Sequence, residues 1–257
     1  FAGHLATQLG AGPEFVGMMS QGTSGDLWAG DYGAPAHDLN YDTFAGEMAE
    51  RAARAISQIE WRDRVPLKMA ERTLTLKYRT PDAGRLAWAV EMMAGLGDRL
   101  PSSLPEIYAA EAIHLHERQQ SELKLQAASV GGFGITALPN EVVALTGLKI
   151  KARSPLVPTM NIELANGADG YIPPPEQHHL GGYITWPART AGLEVEAEPR
   201  IVETVLSLLE EVSGKPRRVP VLEHGPYAQA VLADHPLAYW RLDEMTWPAV
   251  SDAACLP

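Results

Sequence analysis

Hydrophobic and polar positions follow two different periods along this chain. Apolar residues spaced by three and four predict amphipathic helices, whereas apolar–polar alternation predicts strands. The predicted helices cover residues 2–9, 43–59, 83–95, 105–120, 141–150 and 198–213. The predicted strands cover residues 15–20, 67–78, 123–130, 135–138 and 157–164, and Gly131-Gly132 is predicted to form the turn between the third and the fourth. Because strands alternate with helices, we predict an α/β domain with a mixed sheet and flanking helices.

The ends of the chain are abrupt. Phe1 lies inside a helical pattern, and the chain stops at Cys255-Leu256-Pro257. We therefore expect a fragment of a longer protein whose α/β domain is incomplete at its N-terminus. This domain is expected over residues 1–213, followed by a linker rich in Pro, Lys and Arg over 214–226. A change of character at residue 227 predicts a second domain that is cut short at 257.

Composition narrows the classes of function. The net charge of −11 and the pI near 5.2 describe an acidic surface, so a nucleic-acid partner is not expected. No apolar run approaches the ~20 residues that span a bilayer, so no transmembrane segment is expected. Cys255 is the only cysteine, which excludes an internal disulfide and a zinc site built on cysteines.

The turns between residues 133 and 190 carry the candidate chemistry. Leu138-Pro139-Asn140 precedes Glu141, and Tyr171 and Tyr183 follow in glycine-rich turns. Each has a structural interpretation: Glu141 as a first-turn carboxylate favoured by the helix dipole, and each tyrosine as a packed aromatic. Working groups also sit on such loops, held by rigid strands.

These residues resemble a motif set of neutral/alkaline non-lysosomal ceramidases. That family carries Val-Pro-Gly-Glu followed six residues later by Gly, and this chain has Glu141 and Gly147 in the same arrangement. A family tyrosine follows an Asn by five residues, as Tyr171 follows Asn166, and a second tyrosine comes twelve residues later, as Tyr183 does. The resemblance implies that Glu141 and Tyr171 are zinc ligands and that Tyr183 hydrogen-bonds the substrate amide oxygen.

The early loop both keeps and departs from the family pattern, Gln-x-Asn-x-Gly-Asp-Val-Ser. Gln21 and the Gly25-Asp26 pair are present, but Trp28 stands where the family has its serine. Ser24 lies four residues earlier and would need a different loop path to replace it. We therefore expect a zinc-activated water rather than a serine nucleophile. Gln21, Ser24, Gly25 and Asp26 are predicted to line the site.

The histidines leave the predicted metal site incomplete. The two histidine ligands of the family precede the early loop, and only His4 does so here, in a different context. Zinc sites usually hold three or four protein ligands, so we expect zinc in the full-length protein and little activity in this chain alone. Asn166, His178 and His179 are further predicted site-lining residues.

The resemblance implies zinc-dependent hydrolysis of an N-acyl amide, with a small-molecule or lipid amide such as ceramide as substrate. Residues 238–244, Ala-Tyr-Trp-Arg-Leu-Asp-Glu, resemble the opening strand of LamG-type jelly rolls, which implies a carbohydrate partner. The alternative is a non-catalytic extracellular binding protein, in which a degenerate hydrolase domain is joined to a lectin-like module. Both interpretations imply a secreted, periplasmic or cell-surface location.

Overall fold

The computed structural model describes residues 1–28, 30–31, 33–35, 40–220 and 225–240. Its helices are α1 (Ala2–Leu9), α2 (Tyr41–Ile56), α3 (Ala83–Ala94), α4 (Leu104–Arg118), α5 (Ala144–Arg153), α6 (Pro175–His178), α7 (Ala197–Ser213) and α8 (Pro226–Ala233). Its strands are β1 (Leu67–Lys77), β2 (Gln120–Val130), β3 (Phe133–Ala137), β4 (Glu141–Val142), β5 (Thr159–Ile162) and β6 (Tyr171–Ile172). The predicted mixed sheet with flanking helices is confirmed.

The main sheet has the strand order β1-β2-β3-β5. The first three strands form an antiparallel meander, and the predicted Gly131-Gly132 turn joins β2 to β3, with Val130 opposite Phe133. Strand β5 then pairs with β3 in parallel, after a crossover through α5. A second, two-stranded parallel sheet joins β4 to β6. This small sheet carries the predicted site.

Helix α7 packs across the main sheet and closes the core. Ile201, Val205 and Leu208 on the helix are fully buried, as are Leu76 and Leu125 on the strands. Each such side chain contributes about 1.5–3 kcal/mol by leaving water. The strong 3.6-residue period of this helix reflects its single buried face, so its predicted and observed bounds agree closely.

Two predicted elements are corrected. Residues 15–20 form no strand, and Val16, Met18 and Met19 are exposed, so their apolar pattern does not report a buried face. The helix predicted from residue 141 begins at Ala144, because Glu141 is held in β4 by pairing with β6. The helix-start interpretation of Glu141 is therefore wrong. The carboxylate at the start of α5 belongs to Asp26 and not to Glu141. Asp26 Oδ1 accepts a hydrogen bond from the Ala144 N–H at 2.8 Å.

The segment that follows α7 contains an ion-paired arginine and a further helix. Arg217 donates to Glu203 and Glu210 of α7, and the linker itself stays a prediction. Residues 226–233 form α8, which precedes the LamG-like motif at 238–244. Residues 241–257, which include the end of the LamG-like motif, lie outside the described residues, so the second domain stays a prediction. Within the described ranges, no helix has the length and apolarity needed to cross a bilayer.

Candidate functional site

A cleft of about 670 Å³ lies beside the small β4–β6 sheet. The early loop forms one wall, and the β4–β6 sheet and the turn after α6 form the rest. Seven of the predicted site residues line it: Gln21, Ser24, Gly25, Asp26, Glu141, Tyr171 and Tyr183. Residues separated by more than 150 positions therefore meet at one place, although their roles stay predictions.

The parallel pairing of β4 with β6 places Glu141 directly beside Tyr171. The Glu141 N–H donates to the Gly170 carbonyl at 3.0 Å, and the Tyr171 N–H donates to the Thr190 carbonyl at 2.7 Å. Gly170 has φ +76°, and a Cβ there would come within 2.5 Å of the Thr190 carbonyl. Only glycine fits this close approach, so the turn before Tyr171 is fixed by its glycine.

The carboxylate and the phenol interact. Burial raises the pKa of the Tyr171 phenol, and Glu141 raises it further through its negative charge and a hydrogen bond. The phenol is therefore neutral at pH 7. The Tyr183 ring meets the Tyr171 ring edge to face, with centroids 5.7 Å apart. The cleft therefore contains a carboxylate and two neighbouring tyrosine rings.

Glu163 is a site residue that the sequence analysis missed. It lines the cleft but is only 4% exposed. Its Oε1 accepts from the Ser24 hydroxyl at 2.7 Å, and its Oε2 accepts from the backbone N–H groups of Val142 at 2.7 Å and Ser24 at 3.3 Å. The only sequence signal is its place after Thr159 and Asn161, in a polar row at every second position of β5. Such a row ordinarily indicates a solvent face.

Backbone contacts hold the early loop against the cleft. The Gly25 N–H donates to the Val142 carbonyl at 2.8 Å, and the Glu163 N–H donates to the Gln21 carbonyl at 3.1 Å. The Gln21 side chain donates to the Ser24 hydroxyl. Ser24 thus occupies the cleft, whereas Trp28, which stands at the serine position of the family pattern, is an exposed part of its wall.

Three predicted site residues are absent from the wall of this cleft. Asn166 is exposed and donates to Gln126 at 2.9 Å, and His179 is also exposed. His178 is partly buried, and its pKa is lowered to about 4 by burial and by the charges of Arg79 and His179. A neutral imidazole at this position is consistent with packing against the fold.

The carboxylate and phenol oxygens in the cleft suit a cation, but they are few. Neither Glu141 nor Glu163 forms an ion pair with Lys, Arg or His in the part of the chain that the structure describes. A cation at Glu141 and Tyr171 would reverse the electrostatic penalty on the phenolate. Among these same residues, no group of three or more His, Cys, Asp and Glu could hold a metal ion. Of the zinc ligands that the resemblance implies, the described residues contain only Glu141 and Tyr171, and their ligand roles stay predictions.

Comparison with solved structures identifies the fold. Neutral ceramidase from Pseudomonas aeruginosa superimposes with a TM-score of 0.51 and 13% identity, covering 89% of this chain and 43% of that one. The fold is ceramidase-like. A ceramidase complexed with C2 matches with a TM-score of 0.44 and 12% identity over 72% of this chain and 37% of that one. The chain thus spans less than half the length of either structure.

Sequence comparison adds no closer relative. No protein-family profile matches the chain, and no curated protein matches it. The ceramidase-like fold agrees with the family resemblance of the motifs around Glu141, Tyr171 and Tyr183.

Proposed function

We propose that this chain is part of a zinc-dependent amide hydrolase that cleaves an N-acyl bond in the cleft beside β4 and β6. The observation that carries the proposal is the pairing of Glu141 with Tyr171, which brings a carboxylate and a phenol together in a cleft of a ceramidase-like fold. Both oxygens are of the kind that divalent cations bind. No cation from the described residues competes for them.

Glu141 and Tyr171 would hold the zinc ion, with its other ligands outside the described residues. Bound zinc would polarise the amide carbonyl. Its positive charge beside Tyr171 would oppose the burial and the Glu141 charge that raise the pKa of that phenol, which favours the ligating phenolate.

Tyr183 is proposed to bind the amide oxygen. Its side chain is 56% exposed and lines the cleft, and ring contacts with Tyr171 and Trp186 fix its orientation. A phenol held in this way can donate to the oxygen on which negative charge develops during attack on the carbonyl. One such donor commonly contributes 10²- to 10³-fold to the rate, or about 2.7–4 kcal/mol.

The walls of the cleft favour an acyl group as the apolar part of the substrate. Leu27, Trp28 and Ile184 line it, and the first two are largely exposed. An N-acyl chain would cover these side chains and release the water against them. A lipid amide therefore suits the cleft better than a wholly polar one, in keeping with the substrate class that the resemblance implies.

Zinc binding and hydrolysis test the proposal separately. In the longer protein that carries the remaining ligands, Glu141→Gln and Tyr171→Phe should each weaken zinc binding by about 10-fold or more in isothermal titration, since each removes an anionic ligand. Glu122→Gln and Tyr108→Phe, matched changes outside the cleft, should bind zinc as the unchanged protein does. Release of a fluorogenic amine from an N-acyl amide should require zinc. Zinc affinity that is equal in all variants would contradict the metal assignment.

The alternative, a non-catalytic extracellular binding protein with a carbohydrate-binding module, stays a prediction. Its module would begin in residues of which 241–257 lie outside the described part. The extracellular location is likewise a prediction. Binding of an N-acyl amide without turnover in zinc-loaded protein would favour this alternative over the hydrolase.

A further inference from the structure

We propose that Ser24, rather than the zinc-activated water expected from the sequence, is the nucleophile, and that Glu163 is the base that accepts its proton. The first observation is the contact itself. The Ser24 Oγ donates to Glu163 Oε1 at 2.7 Å, and this hydroxyl lines the cleft that also contains Glu141 and Tyr171. A hydroxyl within hydrogen-bond distance of a general base is the arrangement that activates serine for attack on an acyl group.

The second observation is the cost of burying Glu163. A carboxylate that is 4% exposed and has no cationic partner among the described residues is unfavourable unless hydrogen bonds compensate it. Two backbone N–H groups, from Val142 and Ser24, bind Oε2 and account for one oxygen. The other oxygen, Oε1, is left to the Ser24 hydroxyl.

The third observation is the orientation of the serine. The Gln21 side chain donates to the Ser24 Oγ, so it occupies one lone pair, while the hydroxyl proton points to Glu163. The second lone pair remains for an electrophile. The contact between the Gly25 N–H and the Val142 carbonyl holds the loop in this position. Gln21 and Glu163 thus already orient the hydroxyl before a substrate binds.

Water is the only co-reactant that this reaction needs. Ser24 Oγ attacks the acyl carbon, and its proton passes to Glu163. The C–N bond breaks, and the departing nitrogen takes the proton from Glu163, which leaves an acyl ester on Ser24. Water then attacks the ester and gives a proton to Glu163, which returns it to Oγ as the carboxylic acid leaves. The amide substrate rests on the proposed function, whereas the nucleophile and base do not.

Covalent labelling tests the pair without relying on amide hydrolysis. An alkyl fluorophosphonate should modify one residue, Ser24, with loss of fluoride, as located by mass spectrometry of the peptides. Ser24→Ala should abolish labelling. Ser121→Ala is the matched control, because Ser121 also donates to a carboxylate, Asp169 Oδ1 at 3.0 Å, but outside this cleft. This variant should be labelled as fast as the unchanged protein.

Glu163→Gln separates the base from the clamp. A Gln carbonyl can still accept from the Val142 and Ser24 N–H groups, but the side chain cannot take a proton. We expect labelling at Ser24 to slow by about 10²-fold or more, the usual contribution of a general base. If circular dichroism shows that this variant does not fold, Glu163→Asp serves instead. Its shortened carboxylate should slow labelling at least about 10-fold, judged by the same contribution.

The outcomes separate this inference from the proposed function. No labelling of Ser24 in the folded protein, or labelling that is equally fast in folded Glu163→Gln and Glu163→Asp, overturns the inference. N-acyl amide hydrolysis that is unchanged in Ser24→Ala overturns it as well and leaves the hydrolase proposal intact. Labelled Ser24 in a protein that hydrolyses no amide refutes the proposed function and retains the nucleophile.

Discussion

Replacing Gly147 by alanine tests how closely the early loop docks on helix α5. A Cβ on Gly147 would lie 2.1 Å from Thr23 Oγ1, 2.8 Å from its Cγ2 and 2.9 Å from its Cβ. Rotation about χ1 can move the first two atoms, but the Thr23 Cβ moves only with the backbone. The loop would therefore retreat from the helix, and Ser24 and Gly25 would retreat with it.

Two opposing effects set the magnitude. Alanine in place of a glycine in a helix interior stabilises by about 1 kcal/mol, whereas overpacking at a close contact costs about 1–3 kcal/mol. We expect Gly147→Ala to lower the free energy of unfolding by about 1 kcal/mol, measured by urea denaturation. Hydrogen exchange should speed up at the Ser24 and Gly25 amides, whose acceptors are Glu163 and the Val142 carbonyl.

A double-mutant cycle identifies the cause. Adding Thr23→Ala to Gly147→Ala removes Oγ1 and Cγ2 and should restore part of the loss, and Thr23→Gly should restore more. A coupling free energy of about 1 kcal/mol or more is expected for such a contact. Gly46→Ala is the control, because the nearest atoms to its Cβ would lie 3.8 Å away, and it should not destabilise. If Gly147→Ala behaves like this control, the loop does not dock as described.

Two substitutions and one titration provide three further predictions. Arg79→Lys should cost about 1–3 kcal/mol in denaturation, because the guanidinium donates to three carbonyls around the turn that carries Tyr183. His178 should titrate by NMR with a pKa of about 4, because burial, Arg79 and His179 disfavour its charged form. Glu111→Gln should destabilise at pH 7 by about 1–3 kcal/mol, and this difference should shrink in acid. Burial raises the pKa of Glu111, but Arg189 outweighs burial and holds it below its ordinary value.

The two pH effects share one direction for different reasons. His178 has a lower pKa in the folded than in the unfolded state. Its effect on the free energy of unfolding is therefore to reduce stability as the pH is lowered from about 6.5 to about 4. The lowered pKa of Glu111 gives stability that is present above about pH 4.3, the unfolded value, and is lost as pH falls through the folded pKa. An imidazole pKa near 6.5, or a Glu111→Gln difference that is constant with pH, would contradict these assignments.

Local pattern was sufficient for most elements of the main domain. The period of 3.6 residues predicted α7 to within a residue of its start, since a single buried face repeats through its whole length. The two glycines at 131 and 132 predicted the hairpin between β2 and β3, because a tight turn joins strands that pair with each other. In both cases the deciding interactions are close in sequence.

Local pattern was insufficient where distant segments compete for the same residues. Pro139-Asn140 suggested a helix from Glu141, but pairing with β6, about thirty residues later, draws Glu141 into a strand. The apolar residues 15–20 resembled a strand, yet no strand forms there in the described chain. Propensity is a weak preference, and hydrogen bonds made elsewhere in the fold override it.

The sequence by itself determined the α/β class and most elements of the main domain, and its resemblance to ceramidases marked an acid and two tyrosines as predicted site residues. Only the tertiary structure decided that Glu141 and Tyr171 lie side by side, that Ser24 reaches the cleft and that Glu163 is buried beneath it. The physical reason is that periodicity reports which face of one element avoids water. The partner of a buried carboxylate is set by the packing of several elements, and no single segment encodes it.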